Sequence, residues 1–124
     1  MIGWYCIATF PYYDNQNHRN DFKRRPVLVI GKADDTDFVT LPISRVSHRE
    51  NIDIEYDVSI QIADYPLMNL HADSFVRTHK QTITNRASIT RCVANVKEEY
   101  QDLWLDILSK VEAFQKNLTN KGLE

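Results

Sequence analysis

The apolar residues of this chain keep two different periods, and the change from one to the other limits the folds open to it. From Ile52 to Ile62 they fall on every second position (Ile52, Ile54, Tyr56, Val58, Ile60, Ile62), the alternation of a half-buried strand. From Tyr100 they recur at three- and four-residue spacing: Leu103, Trp104, Ile107, Leu108, Val111, Phe114 and Leu118 follow it. That spacing collects them on one face of an amphipathic helix about five turns long. Gly122 stands just beyond, where a stop is expected. Upstream, "GWYCIATF" (3–10), "PVLVIG" (26–31) and "FVTLPI" (38–43) are short β-branched or aromatic runs bounded by Pro or Gly. The stretch 74–84, "SFVRTHKQTIT", reads as a strand pair or one bent strand. Strands first and one helix last predict a mainly β fold with a C-terminal helix, a small barrel or curled sheet with the helix packed on it. We expect one domain over residues 1–124, with strands over about 3–84 and the helix over about 97–118.

Two polar segments interrupt the strands, and both are basic. Residues 11–25, "PYYDNQNHRNDFKRR", read as a long loop, a kind that is uncommon in compact domains and often functional. Residues 44–51, "SRVSHREN", read as a second. The first gathers His18, Arg19, Lys23, Arg24 and Arg25 around a single Asp21, directly before the apolar strand. The formal net charge is only −2, which argues against a protein that is basic overall. A local patch can still attract phosphate while the sum stays negative. Tyr12, Tyr13 and Phe22 flank the cluster, and aromatic faces beside Arg and Lys suit splayed single-stranded bases.

Other classes are disfavoured. The two cysteines, Cys6 and Cys92, are too few for a disulfide framework and lack metal-ligand spacing; a reduced, cytoplasmic protein is the simpler expectation, with both as core fillers. No apolar run approaches the roughly 20 residues that span a bilayer, and Met1 is followed at once by strand-like sequence, so neither a membrane nor a secretory signal is expected. The histidines are scattered and no carboxylate cluster falls inside the basic segments, so no metal or other cofactor is expected.

"RRPVLVIG", then "VTLPIS", then "SFVRTHKQT" and the terminal amphipathic stripe resemble, in order and spacing, the MazF/PemK family of bacterial toxins. The resemblance covers nearly the whole chain, and its most specific piece is Arg-Pro before an apolar strand, followed by a strand ending in a hydroxyl residue after "PI". It implies an SH3-like small barrel of the MazF/CcdB toxin type, usually a homodimer, found in the bacterial cytoplasm. It implies the toxin of a type II toxin–antitoxin pair, an mRNA interferase: a sequence-specific endoribonuclease that needs no metal. The implied partners are single-stranded RNA or mRNA and a cognate antitoxin protein. The family arginine matches Arg25, and its hydroxyl residue matches Ser44, where many members have Thr. RNA contacts are expected from the segment before the arginine, here Arg19, Lys23 and Arg24, and from Arg45, His48, Arg77 and Lys80. Two other readings stay open on the same fold: a CcdB-like toxin that binds DNA gyrase without cutting anything, and a catalytically silent member that binds only RNA or antitoxin.

These residue types suit the implied chemistry. RNA carries its own nucleophile, the 2′-OH, so cutting it needs the phosphate held in line and its added charge neutralised. Arg25 can make two parallel hydrogen bonds to phosphate oxygens, and Pro26 biases it towards extended backbone. Ser44 can donate one more.

Overall fold

The computed structural model describes residues 1–45 and 51–124. Among them are seven strands: β1 (Trp4–Asp14), β2 (Arg19–Lys32), β3 (Asp37–Arg45), β4 (Asp57–Ile60), β5 (Ser74–Arg77), β6 (Thr82–Asn85) and β7 (Ile89–Asn95). Two helices follow, α1 (Val96–Glu99) and α2 (Gln101–Gly122). The fold is mainly β with a C-terminal helix, as the change of period predicts.

All strand pairs are antiparallel, and the sheet runs β4-β5-β3-β2-β1-β7. The sheet curls into a half-barrel, and β3 is where it turns. Along one edge β3 pairs first with β6, from Asp37–Asn85 to Thr40–Thr82, and then with β5, from Ile43–Val76 to Arg45–Ser74. The buried hydroxyls of Thr40 and Thr84 lie 2.8 Å apart and tie the first of these pairings.

Both faces of the sheet bury side chains. On one, Tyr5, Leu28, Leu41, Ile43, Val58, Ile60 and Val76 pack against Leu103, Trp104, Ile107 and Val111 of α2. Burial of each helix side chain contributes about 1.5–3 kcal/mol. On the other, Cys6, Ala8, Val27, Val29 and Phe38 form a smaller cluster edged by Trp4, Phe10 and Ile89. This explains why "PVLVIG" lacks alternation: Val27, Leu28 and Val29 are consecutive and all buried, because β2 is covered on both sides. Gly3 fastens the sheet to the helical end. Its N–H donates to the Val29 carbonyl and its carbonyl accepts from Val96 N, both at 2.8 Å. It adopts φ +93, and any Cβ there would collide with Lys97 Cβ.

Several expectations need correcting. Residues 11–25 are not a loop. The β1–β2 ladder runs unbroken from Tyr5–Leu28 to Asp14–Arg19, so the basic segment is the outer half of a long hairpin. Strand pairing onto an established ladder overrides the poor strand propensity of its polar residues. Only residues 15–18 turn. There Asp14 Oδ1 accepts from Gln16 N (2.9 Å) and Asn17 N (3.3 Å), and His18 closes the turn at φ 52.

The alternating run 52–62 is a strand only over β4. Before it, Asp53 Oδ1 accepts from the N–H groups of Glu55 and Tyr56, and Asp57 Oδ2 accepts from Asp53 N. These side-chain bonds compete with a ladder and win. The stretch 74–84 holds two strands, β5 and β6, each paired with β3, not one bent strand. Strand β7 lies beyond the expected strand region of about 3–84. The helical region breaks once, at Tyr100 (φ −135), and α2 continues to Gly122, so Leu118 ends up exposed beyond the core.

Candidate functional site

The β2–β3 ladder ends at Val27–Pro42. Proline stands beside this point on one strand and at it on the other. Pro26 and Pro42 have no N–H to donate, so continued pairing would lack ladder bonds here. Continued by two residues, the register would set Arg25 opposite Ser44. Instead the strands leave a groove of about 750 Å³. Arg24, Arg25 and Pro26 line it from β2, and Pro42, Ile43, Ser44 and Arg45 from β3. Tyr5 and Ile7 of β1 contribute from the neighbouring strand, and residues 70–72 with Ser74 close another side.

Thus Arg25 and Ser44, chosen from the sequence, share one groove with Arg24 and Arg45. The three guanidinium groups belong to exposed residues, and Ser44 is half-buried on a strand end. Among the described residues, no carboxylate lies within ion-pair distance of Arg24, Arg25 or Arg45. None of the described residues neutralises them. Ser74, by contrast, is buried and its hydroxyl is engaged with the Ala72 carbonyl at 2.9 Å.

The hairpin extends this surface. Facing residues in an antiparallel pair share a side, so Ile7, Pro11 and Tyr13 of β1 lie on the same side as Pro26, Arg24 and Phe22 of β2. Phe22 is 67% exposed and Tyr13 53%. An aromatic stripe therefore leads from the groove towards the hairpin tip. The opposite side carries Arg19, Lys23 and Arg25, with Lys23 Nζ 4.4 Å from the centre of the Tyr12 ring; Arg25 borders the groove because it stands where β2 parts from β3, on the side that the register gives to Ser44.

The other predicted residues go elsewhere. His48 lies outside the described residues. Arg77 does not line the groove: it ends β5 opposite Asp57 of β4, and its Nε stands 3.4 Å from Asp57 Oδ1. The Asp57 side chain is 0% exposed. His79 joins this cluster, with Nδ1 3.8 Å from Asp57 Oδ1 and Nε2 3.9 Å from Asp53 Oδ2, and its ring stacks 5.7 Å from that of Tyr56. Lys80 is exposed in the turn between β5 and β6.

Sequence reasoning missed His71. It lines the groove from a segment held by the Leu70 side chain, packed on the main core, and by Asp73, whose Oδ1 accepts from Ile62 N at 2.9 Å. No periodicity marks "NLHADS", and only the fold brings it to Arg25. A separate cleft of about 510 Å³ has the opposite sign, with Asp64, Glu98, Glu99 and Asp102 beside Tyr65 and Tyr100. It repels phosphate. Burial raises the Tyr65 hydroxyl pKa, and nearby Asp64 adds to the effect.

Among the described residues, no three His, Cys, Asp or Glu side chains gather to hold a metal ion, and no helix is long and apolar enough to cross a membrane. Compared with known proteins, the chain is matched by no family model and by no curated sequence.

Proposed function

We propose that the chain is a metal-independent, sequence-specific endoribonuclease acting on single-stranded RNA, the toxin of a type II toxin–antitoxin pair on an SH3-like barrel. The observation that carries the reading is the convergence of Arg25 and Ser44 on one groove flanked by Arg24 and Arg45. In the sequence, 18 residues separate the first pair's positions. The β2–β3 register carries the two to the same strand end, and there the strands part around a groove that both residues line.

On this reading Arg25 forks onto the non-bridging oxygens of the scissile phosphate, and Ser44 donates to one of them. Both bonds strengthen as the phosphorus gains charge, so they act on the transition state more than on bound substrate. The nucleophile is the substrate's own 2′-OH, and the 5′-oxygen leaves. Arg24 and Arg45 hold neighbouring phosphates. Phe22 and Tyr13 stack bases along the hairpin, where sequence preference would arise. The likeness to MazF/PemK toxins adds a homodimer, a cognate antitoxin and a cytoplasmic setting to the proposal.

The test is cleavage of a defined single-stranded RNA in excess EDTA. We expect products with a 2′,3′-cyclic phosphate and a 5′-hydroxyl, and no cutting of DNA or of RNA with one 2′-deoxy substitution before the cut. Products bearing 5′-phosphate, or cutting of the 2′-deoxy substrate, would remove the roles given to Arg25 and Ser44. RNA left intact by folded protein would transfer the reading to a toxin that only binds.

A further inference from the structure

Cys6 and Cys92 are 86 positions apart in the chain and face each other across β1 and β7. Their sulfurs are 3.3 Å apart, and both are free thiols. Facing residues of an antiparallel pair have Cα atoms about 4.5–5.5 Å apart, inside the roughly 4.4–6.8 Å that a disulfide spans, so closing the bond asks little of the backbone. The two thiols differ in access. Cys6 is fully buried in the smaller core cluster, whereas Cys92 is exposed. Only Cys92 can meet an oxidant in solution.

The ladder is irregular at this place. Strand β7 is the sheet's edge, and its register with β1 shifts between Tyr5 and Cys6 and again between Ile7 and Ala8. A covalent tie here would fasten a loosely laddered edge strand to the one that carries Tyr5 and Ile7 into the groove.

We propose that Cys6 and Cys92 form a redox site that closes to a cross-strand disulfide on exposure to a peroxide-class oxidant. The Cys92 sulfur attacks one peroxide oxygen, the O–O bond breaks, and the departing hydroxide takes up the thiol proton as water. Cys92 is then a sulfenic acid. The Cys6 sulfur forms the S–S bond by displacing hydroxide from it, and the Cys6 proton leaves with that hydroxide as a second water. Two thiols are oxidised by two electrons and one peroxide is reduced to two waters. Burial, with the adjacent Cys92, pushes the Cys6 thiol up to about 12, so Cys6 is not the first nucleophile. This site is independent of the RNA reading.

The test treats the folded chain with hydrogen peroxide, denatures it, alkylates it and measures intact mass. We expect the loss of two hydrogens, no alkylated cysteine, no dimer, and return of both thiols with dithiothreitol. Hydrogen exchange along β7 should slow in the oxidised form. The Cys92→Ser variant changes an exposed position, so it should fold, and its Cys6 should stay reduced under the same treatment. Retention of two alkylatable thiols, Cys92 carried on to sulfinic or sulfonic acid, chains linked through Cys92, or oxidation of Cys6 in the variant would each overturn the proposal.

Discussion

Arg25 and Arg77 are both strand arginines followed by turn or groove, and nothing in their immediate sequence predicts that they end so differently. Arg77 stands opposite Asp57, whose carboxylate is fully buried and also accepts from Asp53 N. Its charge is spent inside the protein. Arg25 stands opposite Ala8, with no acid beside it among the described residues, at the lip of a groove. A positive charge in a sequence shows only that a counterion is needed. The register decides whether the fold supplies one.

The comparison is broken or upheld by exchanging the two losses. Arg25→Ala should lower RNA cleavage by about 10²–10³-fold, the usual cost of one preorganised donor, and leave the melting temperature unchanged. Arg77→Ala should do the reverse. It leaves a buried carboxylate with only Asp53 N and the more distant His79 beside it, which costs about 3 kcal/mol, the low end for a broken buried pair because the Arg77 side chain is 26% exposed and these groups remain. Thermal unfolding and single-turnover cleavage of both variants decide the matter. If Arg77→Ala melts like the parent but cleaves poorly, Arg77 belongs to the site and the division of roles fails.

Ser44 sharpens the same contrast from the neutral side. Ser44→Ala should reduce cleavage about tenfold, the worth of one hydrogen bond of roughly 1.4 kcal/mol. Ser44→Thr keeps the hydroxyl and should cleave at nearly the parental rate. An inactive Thr variant would show that space, not donation, matters at this strand end.

Smaller effects are expected along the hairpin. Phosphate contacts release counterions, so RNA affinity should fall with salt. Arg24→Ala and Arg19→Ala should each flatten the log–log slope by about 0.7, one contact on a single strand, and leave the cleavage position unchanged. An unaltered slope for Arg24 would mean that only Arg25 and Arg45 of the groove meet the backbone.

The order of strands and helix was legible because burial writes its period into the sequence: Leu103, Trp104, Ile107 and Val111 are spaced as a helix face and are buried as one. The meeting of Arg25 and Ser44 follows from the register of the neighbouring strands β2 and β3, which the sequence alone does not fix, and only the resemblance singled the two out. The hairpin was hidden because a ladder begun by Tyr5, Ile7, Val27 and Leu28 extends through residues that would not pair alone. Asp53 and Asp57 hid the start of β4 in the other direction, by bonding to backbone N–H groups inside an alternating pattern. Cys92, expected in the core, is exposed because it lies on the edge strand that the sequence did not reveal. Contacts across long stretches of chain, such as His71 with the groove or Cys6 with Cys92, leave no period to read.

The hairpin tip also differs from the groove in how it responds to acid. Asp14 is held below the usual 3.8 for a carboxyl, first by the Asn17 side-chain amide at 2.7 Å and then by the backbone N–H of Gln16. A carboxyl more acidic in the folded hairpin than in the unfolded chain favours the fold when ionised. Its contribution is fully present above pH 3.8 and is lost as pH falls through the depressed folded value. The site is open to solvent, so the effect should be local and small. Amide exchange or NMR shifts of Gln16 and Asn17 should show the turn loosening in that acid range, while signals from Val27 to Val29 hold. The Asp14→Asn variant should lose this acid response. If the turn amides and the β2 core loosen together, the tip is part of the same cooperative unit as the groove, and the hairpin is stiffer than its polar sequence implies.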